Sequence, residues 1–83
     1  MKLLYFAWLK SKIGKAEETI EPPAGISTPG ALVDWLKTRG PGFAEALKDR
    51  RALRVAVNRR YVGWDHALAA GDEVALFPPV TGG

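Results

Sequence analysis

The sequence predicts an α+β domain: a mixed β-sheet packed on one main helix, with short extra helical segments. Three observations predict it. Apolar residues alternate with period two in Leu53–Asn58 and again in Glu73–Phe77. A capped stripe at helical spacing, Thr28–Leu36, precedes both and follows an aromatic-rich opening segment. Hydrophobic residues make up 47% of 83 residues, enough for one small core but not for two. Residues 1–83 are accordingly read as one domain, with 78–83 as an extended C-terminal tail.

Lys2–Leu9 is short, apolar on both faces and rich in aromatics, and it reads as the first strand. Lys10–Lys15, with Gly14, reads as a turn, and Ala16–Glu21 as a second strand that pairs back on the first. Pro22-Pro23-Ala24-Gly25 then breaks the pattern. Thr28 is a natural N-cap. Pro29 follows at the first helical position, where its missing N–H costs nothing. Leu32, Val33, Trp35 and Leu36 fall in one stripe; Gly40 stops the helix and Pro41 forbids its continuation. Phe43–Lys48 reads as a shorter helical piece. Leu53–Asn58 is a strand, Tyr61-Val62 a short extended piece, Trp64–Ala70 a loop or single helical turn, and Glu73–Phe77 the last strand.

A hairpin, a packed helix and further strands come in the order of the ubiquitin-like β-grasp fold. Alternation assigns Leu3, Tyr5, Ala7, Val55, Val57, Val74 and Leu76 to the face towards the helix. Leu4, Phe6, Trp8, Ala56, Ala75 and Phe77 fall on the other face, with Tyr61 beside them. One helix cannot cover both sides of a sheet. The second face is therefore expected to leave an apolar patch in water, unless the second helix or a loop folds over it, and such patches mark interaction sites.

The run Phe77-Pro78-Pro79-Val80-Thr81-Gly82-Gly83 closes the sequence. The prolines lack N–H donors, so the strand should end near Phe77 and the tail should leave extended. At roughly 3.3 Å per residue, the stretch after Phe77 reaches on the order of 20 Å. Glycine lacks a Cβ and passes where side chains clash, so Gly82 and Gly83 would present a carboxylate that fits a neighbour's active site.

No side-chain chemistry competes with that carboxylate. The chain has no cysteine, which excludes disulfides, thiolate metal sites and a thiol nucleophile. No His/Asp/Glu cluster has metal-ligand spacing, and no Gly-rich phosphate loop occurs. The single histidine, His66, neighbours Asp65 and reads as part of a turn. Glu17-Glu18 and Asp72-Glu73 read as exposed turn or strand-edge residues. Net charge is +3, with Arg50-Arg51 and Arg59-Arg60 as local clusters. They read first as solvated strand ends, next as contacts to an acidic partner, and last as a nucleic-acid surface. No apolar run suits a membrane span, and the cytoplasm is the expected compartment.

The closing run, preceded by Gly71-Asp72-Glu73-Val74-Ala75, resembles the C-terminus of the small subunit of molybdopterin synthase. Val55-Ala56-Val57-Asn58, Tyr61-Val62, Asp65-His66 and Leu4-Tyr5-Phe6-Ala7 resemble the same family, so the likeness covers the whole chain. Gly-Gly alone is shared with ubiquitin and with the thiamine and tRNA-thiolation carriers; the double proline after an aromatic favours molybdopterin synthase. The resemblance implies a sulfur carrier in molybdenum cofactor biosynthesis without an active site of its own. Gly83 would be adenylated by a ubiquitin-activating-like adenylyltransferase that uses ATP, and a sulfurtransferase system would convert it to a thiocarboxylate. The tail, Pro78 to Gly83, would enter the large synthase subunit and give sulfur to cyclic pyranopterin monophosphate, in an assembly of two small and two large subunits. Phe6, Tyr61 and Phe77 would form the apolar contact with partners, Tyr61 standing where the family more often has an aliphatic residue. The sulfur would be carried covalently on Gly83, with no permanently bound cofactor, no metal and no contact with nucleic acid or membrane. A different sulfur carrier or a ubiquitin-like protein modifier is the alternative.

Overall fold

Five strands form one mixed sheet: β1 (Lys2–Tyr5), β2 (Glu17–Thr19), β3 (Arg54–Val57), β4 (Arg60–Val62) and β5 (Glu73–Phe77), in the order β2-β1-β5-β3-β4. A computed structural model describes residues 1–79 of the chain, so the expectations for Val80, Thr81, Gly82 and Gly83 lie outside the described residues. The central pair, β1 and β5, is parallel; β1–β2, β3–β4 and β3–β5 are antiparallel. A parallel pair requires a long crossover. That crossover carries the helices α2 (Pro29–Leu36) and α3 (Pro41–Ala46), which lie on one face of the sheet.

The period-two pattern decides which strand residues meet those helices. Leu3 and Tyr5 of β1, Val55 and Val57 of β3, and Val74 and Leu76 of β5 are buried against Leu32, Val33 and Leu36 of α2. Removing a Leu or Val side chain from water contributes about 1.5–3 kcal/mol. Helix α2 starts as its sequence dictates: the Thr28 Oγ1 accepts the Ala31 N–H at 3.2 Å, and Pro29 follows at the first position. It tightens into a 3₁₀ turn over Lys37–Arg39 before Gly40. Pro41 then opens α3 rather than merely ending what precedes it, so that helix lies earlier than the expected Phe43–Lys48.

The opening segment departs most from expectation. The strand does not run to Leu9 but ends at Tyr5, and Trp8–Ile13 forms a helix, α1, where a strand end and a turn were expected. The reversal is made at Ala7, with φ 57° and ψ −135°. A short apolar run cannot distinguish strand from helix by periodicity. The deciding signals lie further on. Leu9 and Ile13, four apart, share the face that packs on the core, and Leu9 is fully buried. Lys10, Ser11 and Lys12 stay in water. Gly14 closes the helix in the left-handed region at φ 94°, its N–H donating to the Lys10 carbonyl at 2.8 Å. Ala7 is consequently exposed rather than inward, and Trp8 leaves the sheet for α1. Helices α1 and α3 meet at Gly42, where a Cβ would lie 2.6 Å from the Lys12 carbonyl oxygen.

Candidate functional site

The face of the sheet turned away from the helices is built by the complementary half of each strand. Leu4 pairs with Ala75, Ala75 with Ala56, and Ala56 with Tyr61, so these side chains form one row across four strands. The centre of the row is small. Ala56 itself is 6% exposed and belongs to the floor rather than to an open patch. Phe6 extends the parallel ladder one step beyond β1, its N–H donating to the Leu76 carbonyl at 3.2 Å. Phe77 ends β5 beside it, paired across to Arg54.

Aromatic rings stand around that low centre. The Tyr61 and Phe77 centroids are 5.4 Å apart with the planes tilted by 39°. Tyr61 is 79% exposed and Phe6 49%, while Phe77 is half-buried. The second helix packs its Phe43 and Ala46 into the core on the other side, and Phe6 and Tyr61 stand open to water on this face. A groove of about 360 Å³ opens beside it, lined by Arg54, Val55, Tyr61, Val62 and Phe77. Pro78 and Pro79 follow β5 outside any strand, as their missing donors require, so the tail begins at the rim of the apolar face.

Of the sequence-assigned partner residues, the fold brings together Phe6, Tyr61, Phe77 and the prolines. Trp8, expected on the same face, is not brought to them. That ring is on α1, beside a groove formed with Lys12, Glu45, Ala46 and Lys48. His66 and Asp65 sit in the loop before β5, where the His66 N–H donates to the Gly63 carbonyl at 3.3 Å, a turn role. Among the described residues, no group of three or more His, Cys, Asp or Glu is placed to hold a metal ion. None of the described helices is long and apolar enough to cross a membrane.

Two polar clusters fix the frame of the sheet. Glu18 was expected to be exposed, yet its side chain is only 11% exposed. It lies opposite Leu3 on β2 and therefore on the helix side of the sheet. The Tyr5 hydroxyl donates to its Oε2 at 2.6 Å, and the Arg39 guanidinium donates to both oxygens at 2.9 and 3.0 Å. Burial alone would raise the Glu18 pKa; the bonds from Arg39 and Tyr5 outweigh it and hold the carboxyl below its ordinary value. Burial, reinforced by the bond to Glu18, pushes the Tyr5 phenol far above its usual range. Sequence spacing gave one faint clue, since Glu18 alternates with the outward Glu17 and Thr19. Its partner, twenty-one residues away, had no local signal.

The second cluster closes the β3–β4 hairpin. Asn58 and Arg59 occupy its tip with φ 52° and 70°. The Asn58 side chain accepts the Glu73 N–H and donates to Asp72 Oδ1, both at 3.0 Å, and Asp72 Oδ2 accepts the Ala69 N–H at 2.7 Å. These bonds tie the hairpin to the start of β5 and lower the Asp72 pKa.

Comparison with known proteins settles the lineage. Residues 3–83 match the ThiS family. The chain belongs to that family. The molybdopterin synthase sulfur carrier subunit of Escherichia coli (strain K12) is 41% identical, the alignment covering 100% of this chain and 99% of that protein. Among solved structures, a putative molybdopterin converting factor subunit 1 from Pyrococcus furiosus superposes with a TM-score of 0.75 at 38% identity, covering 95% of each chain. The small archaeal modifier protein 1 of Haloferax volcanii superposes at 0.73 with 31% identity, over 96% of this chain and 97% of its own. The resemblance to the molybdopterin synthase small subunit is thereby borne out, and so is the ubiquitin-like β-grasp.

Proposed function

We propose that the chain carries sulfur on the α-carboxyl of Gly83 and delivers it within molybdopterin synthase, as a step of molybdenum cofactor biosynthesis. The observation that carries this reading is the full-length match to proteins named molybdopterin synthase sulfur carrier subunit, over a sequence that includes the Gly82-Gly83 ending. The geometry supports it: β5 leads the chain to an uncovered apolar face and releases it there as Pro78-Pro79.

A carboxylate is a poor electrophile because attack must expel oxide. Adenylation removes that obstacle. One Gly83 oxygen attacks the α-phosphorus of ATP in the active site of an adenylyltransferase, and pyrophosphate leaves. A hydrosulfide equivalent from a sulfurtransferase system then attacks the carbonyl carbon, AMP leaves, and a thiocarboxylate remains. Inside the large synthase subunit its sulfur bonds to a side-chain carbon of cyclic pyranopterin monophosphate as an oxygen substituent leaves that carbon. Water then cleaves the acyl carbon–sulfur bond, leaving sulfur on the pterin and releasing the carrier as carboxylate. The domain's share in this is docking. Phe6, Tyr61 and Phe77 supply the apolar contact, and Pro78, Pro79, Val80 and Thr81 guide Gly82-Gly83 into the partner. Two carriers on a central pair of large subunits, in the cytoplasm, complete the reading.

The likeness to a modifier protein favours a second reading, in which a lysine amine of a target takes the activated carboxyl and an isopeptide forms. One experiment separates them. The chain is incubated with the adenylyltransferase, ATP, a sulfur donor, the large subunit and cyclic pyranopterin monophosphate. Molybdopterin formation that vanishes on deletion of Gly83, with the fold unchanged by circular dichroism, supports the carrier. Molybdopterin formed equally well by the shortened chain contradicts it.

A further inference from the structure

Arg54 stands out among the cations around the apolar face. It opens β3, opposite Phe77, and lines the groove with Tyr61 and Phe77 at the root of the tail. Its Nη1 donates to the Leu53 carbonyl at 2.7 Å and to the Arg51 carbonyl at 3.2 Å. The other arginines of this region differ. Arg50 pairs with Asp34 at 2.8 Å, Arg51 with Asp49 at 3.3 Å, and Arg59 reaches Glu73 at 3.9 Å. Arg60 pairs with Val57 and so lies on the opposite side of the sheet from Tyr61. Arg54 forms no ion pair among the described residues; backbone carbonyls hold one end of its guanidinium while the residue stays exposed.

A guanidinium anchored in this way has lost part of its freedom without losing its charge. The donors left over retain the planar fork that matches a carboxylate. Its neighbours are aromatic, and arginine and tyrosine together on an apolar patch are enriched in protein-binding hot spots. Nucleic acid fits this surface less well, because among the described residues Arg54 adjoins an apolar face rather than a basic stripe, with Arg60 on the opposite side of the sheet.

We propose that Arg54 is a specificity-determining contact that reads an aspartate or glutamate on the protein partner's docking surface, next to the pocket that receives Phe77 and Tyr61. The proposal rests on the carrier reading, in which that partner is the large synthase subunit. The chain's net charge of +3 gives the same polarity to the encounter as a whole.

Arg54→Gln, Arg54→Lys and Arg54→Glu are titrated in the full chain against the large subunit of the same organism, at low and at physiological salt. Circular dichroism and thermal midpoints verify folding. Arg54→Glu is expected to weaken binding by about tenfold or more at low salt, and Arg54→Gln to flatten the salt dependence. Arg54→Lys, which keeps charge but not the fork, is expected to fall between wild type and Arg54→Gln. Wild-type affinity and salt slope in folded Arg54→Gln and Arg54→Glu would overturn the proposal and leave the carrier reading standing. A large subunit that binds no form of the chain would overturn both. Tight wild-type binding of a single-stranded oligonucleotide, lost in Arg54→Glu, would overturn the protein-partner assignment.

Discussion

The Tyr61 ring lies 5.4 Å from that of Phe77, tilted by 39° and almost wholly in water, at the point where β5 gives way to Pro78. A folded chain gains little by exposing a large aromatic there. Buried by a partner, the same ring contributes on the order of 1.5–3 kcal/mol. Tyr61→Ala should therefore weaken the complex with the large subunit by roughly tenfold to a hundredfold, and Phe6→Asp by more. Thermal midpoints of the free variants should move little. Calorimetric titration beside thermal denaturation checks this, and unchanged affinity would refute it.

Glu18 is tied to Arg39 and Tyr5 across the β2 edge, so Glu18→Gln should lower stability by about 1–2 kcal/mol at neutral pH. The Glu18 carboxyl has its pKa lowered in the folded state. Its contribution is thus complete above the unfolded value, about 4.3, and is lost as pH falls through the depressed folded value. Asp72, also lowered, acts in the same sense. Urea midpoints from pH 7 to pH 3 should show the gap between wild type and Glu18→Gln closing only on the acid side. A gap that widened there would contradict the assignment.

Ala7 makes the turn from β1 into α1 at φ 57° and ψ −135°, a conformation that glycine adopts without steric cost. Ala7→Gly should stabilise the chain by about 0.5–1 kcal/mol, the relief of strain exceeding the added freedom of the unfolded state. A lower urea midpoint for the variant would show that the turn is not strained.

Gly42 lets α3 approach α1 to within a Cβ's width of the Lys12 carbonyl. Gly42→Ala should cost roughly 1–3 kcal/mol by forcing the two helices apart. Hydrogen exchange should quicken in α1 and α3 before it does in β5. Equal protection in wild type and Gly42→Ala would argue against close packing there.

Much of this was legible in the sequence, and the exceptions share a physical cause. β5 was read to its last residue because Val74 and Leu76 alternate between a turn and two prolines. α2 was legible through Thr28, Pro29 and its apolar stripe. Period two puts Phe6 and Phe77 on one face, since a one-residue slip would invert every strand, whereas Tyr61 joins them as a contact through the family resemblance. The segment Phe6–Leu9 was misread because its apolar run has no period, and the turn at Ala7 uses a residue that does not announce one. Helix α1 was visible only through Leu9, Ile13 and Gly14 taken together. The Glu18–Arg39 pair and the anchored Arg54 depend on tertiary proximity, which no local pattern encodes.

The central claim concerns the chemistry of Gly83, and intact mass of the chain purified from its native host tests it most directly. The account predicts a population heavier by the difference between sulfur and oxygen, with fragmentation placing the change on Gly83. Blocking the adenylyltransferase should abolish that population. A Gly83 that remains an ordinary carboxylate while the host is making molybdopterin would contradict the account.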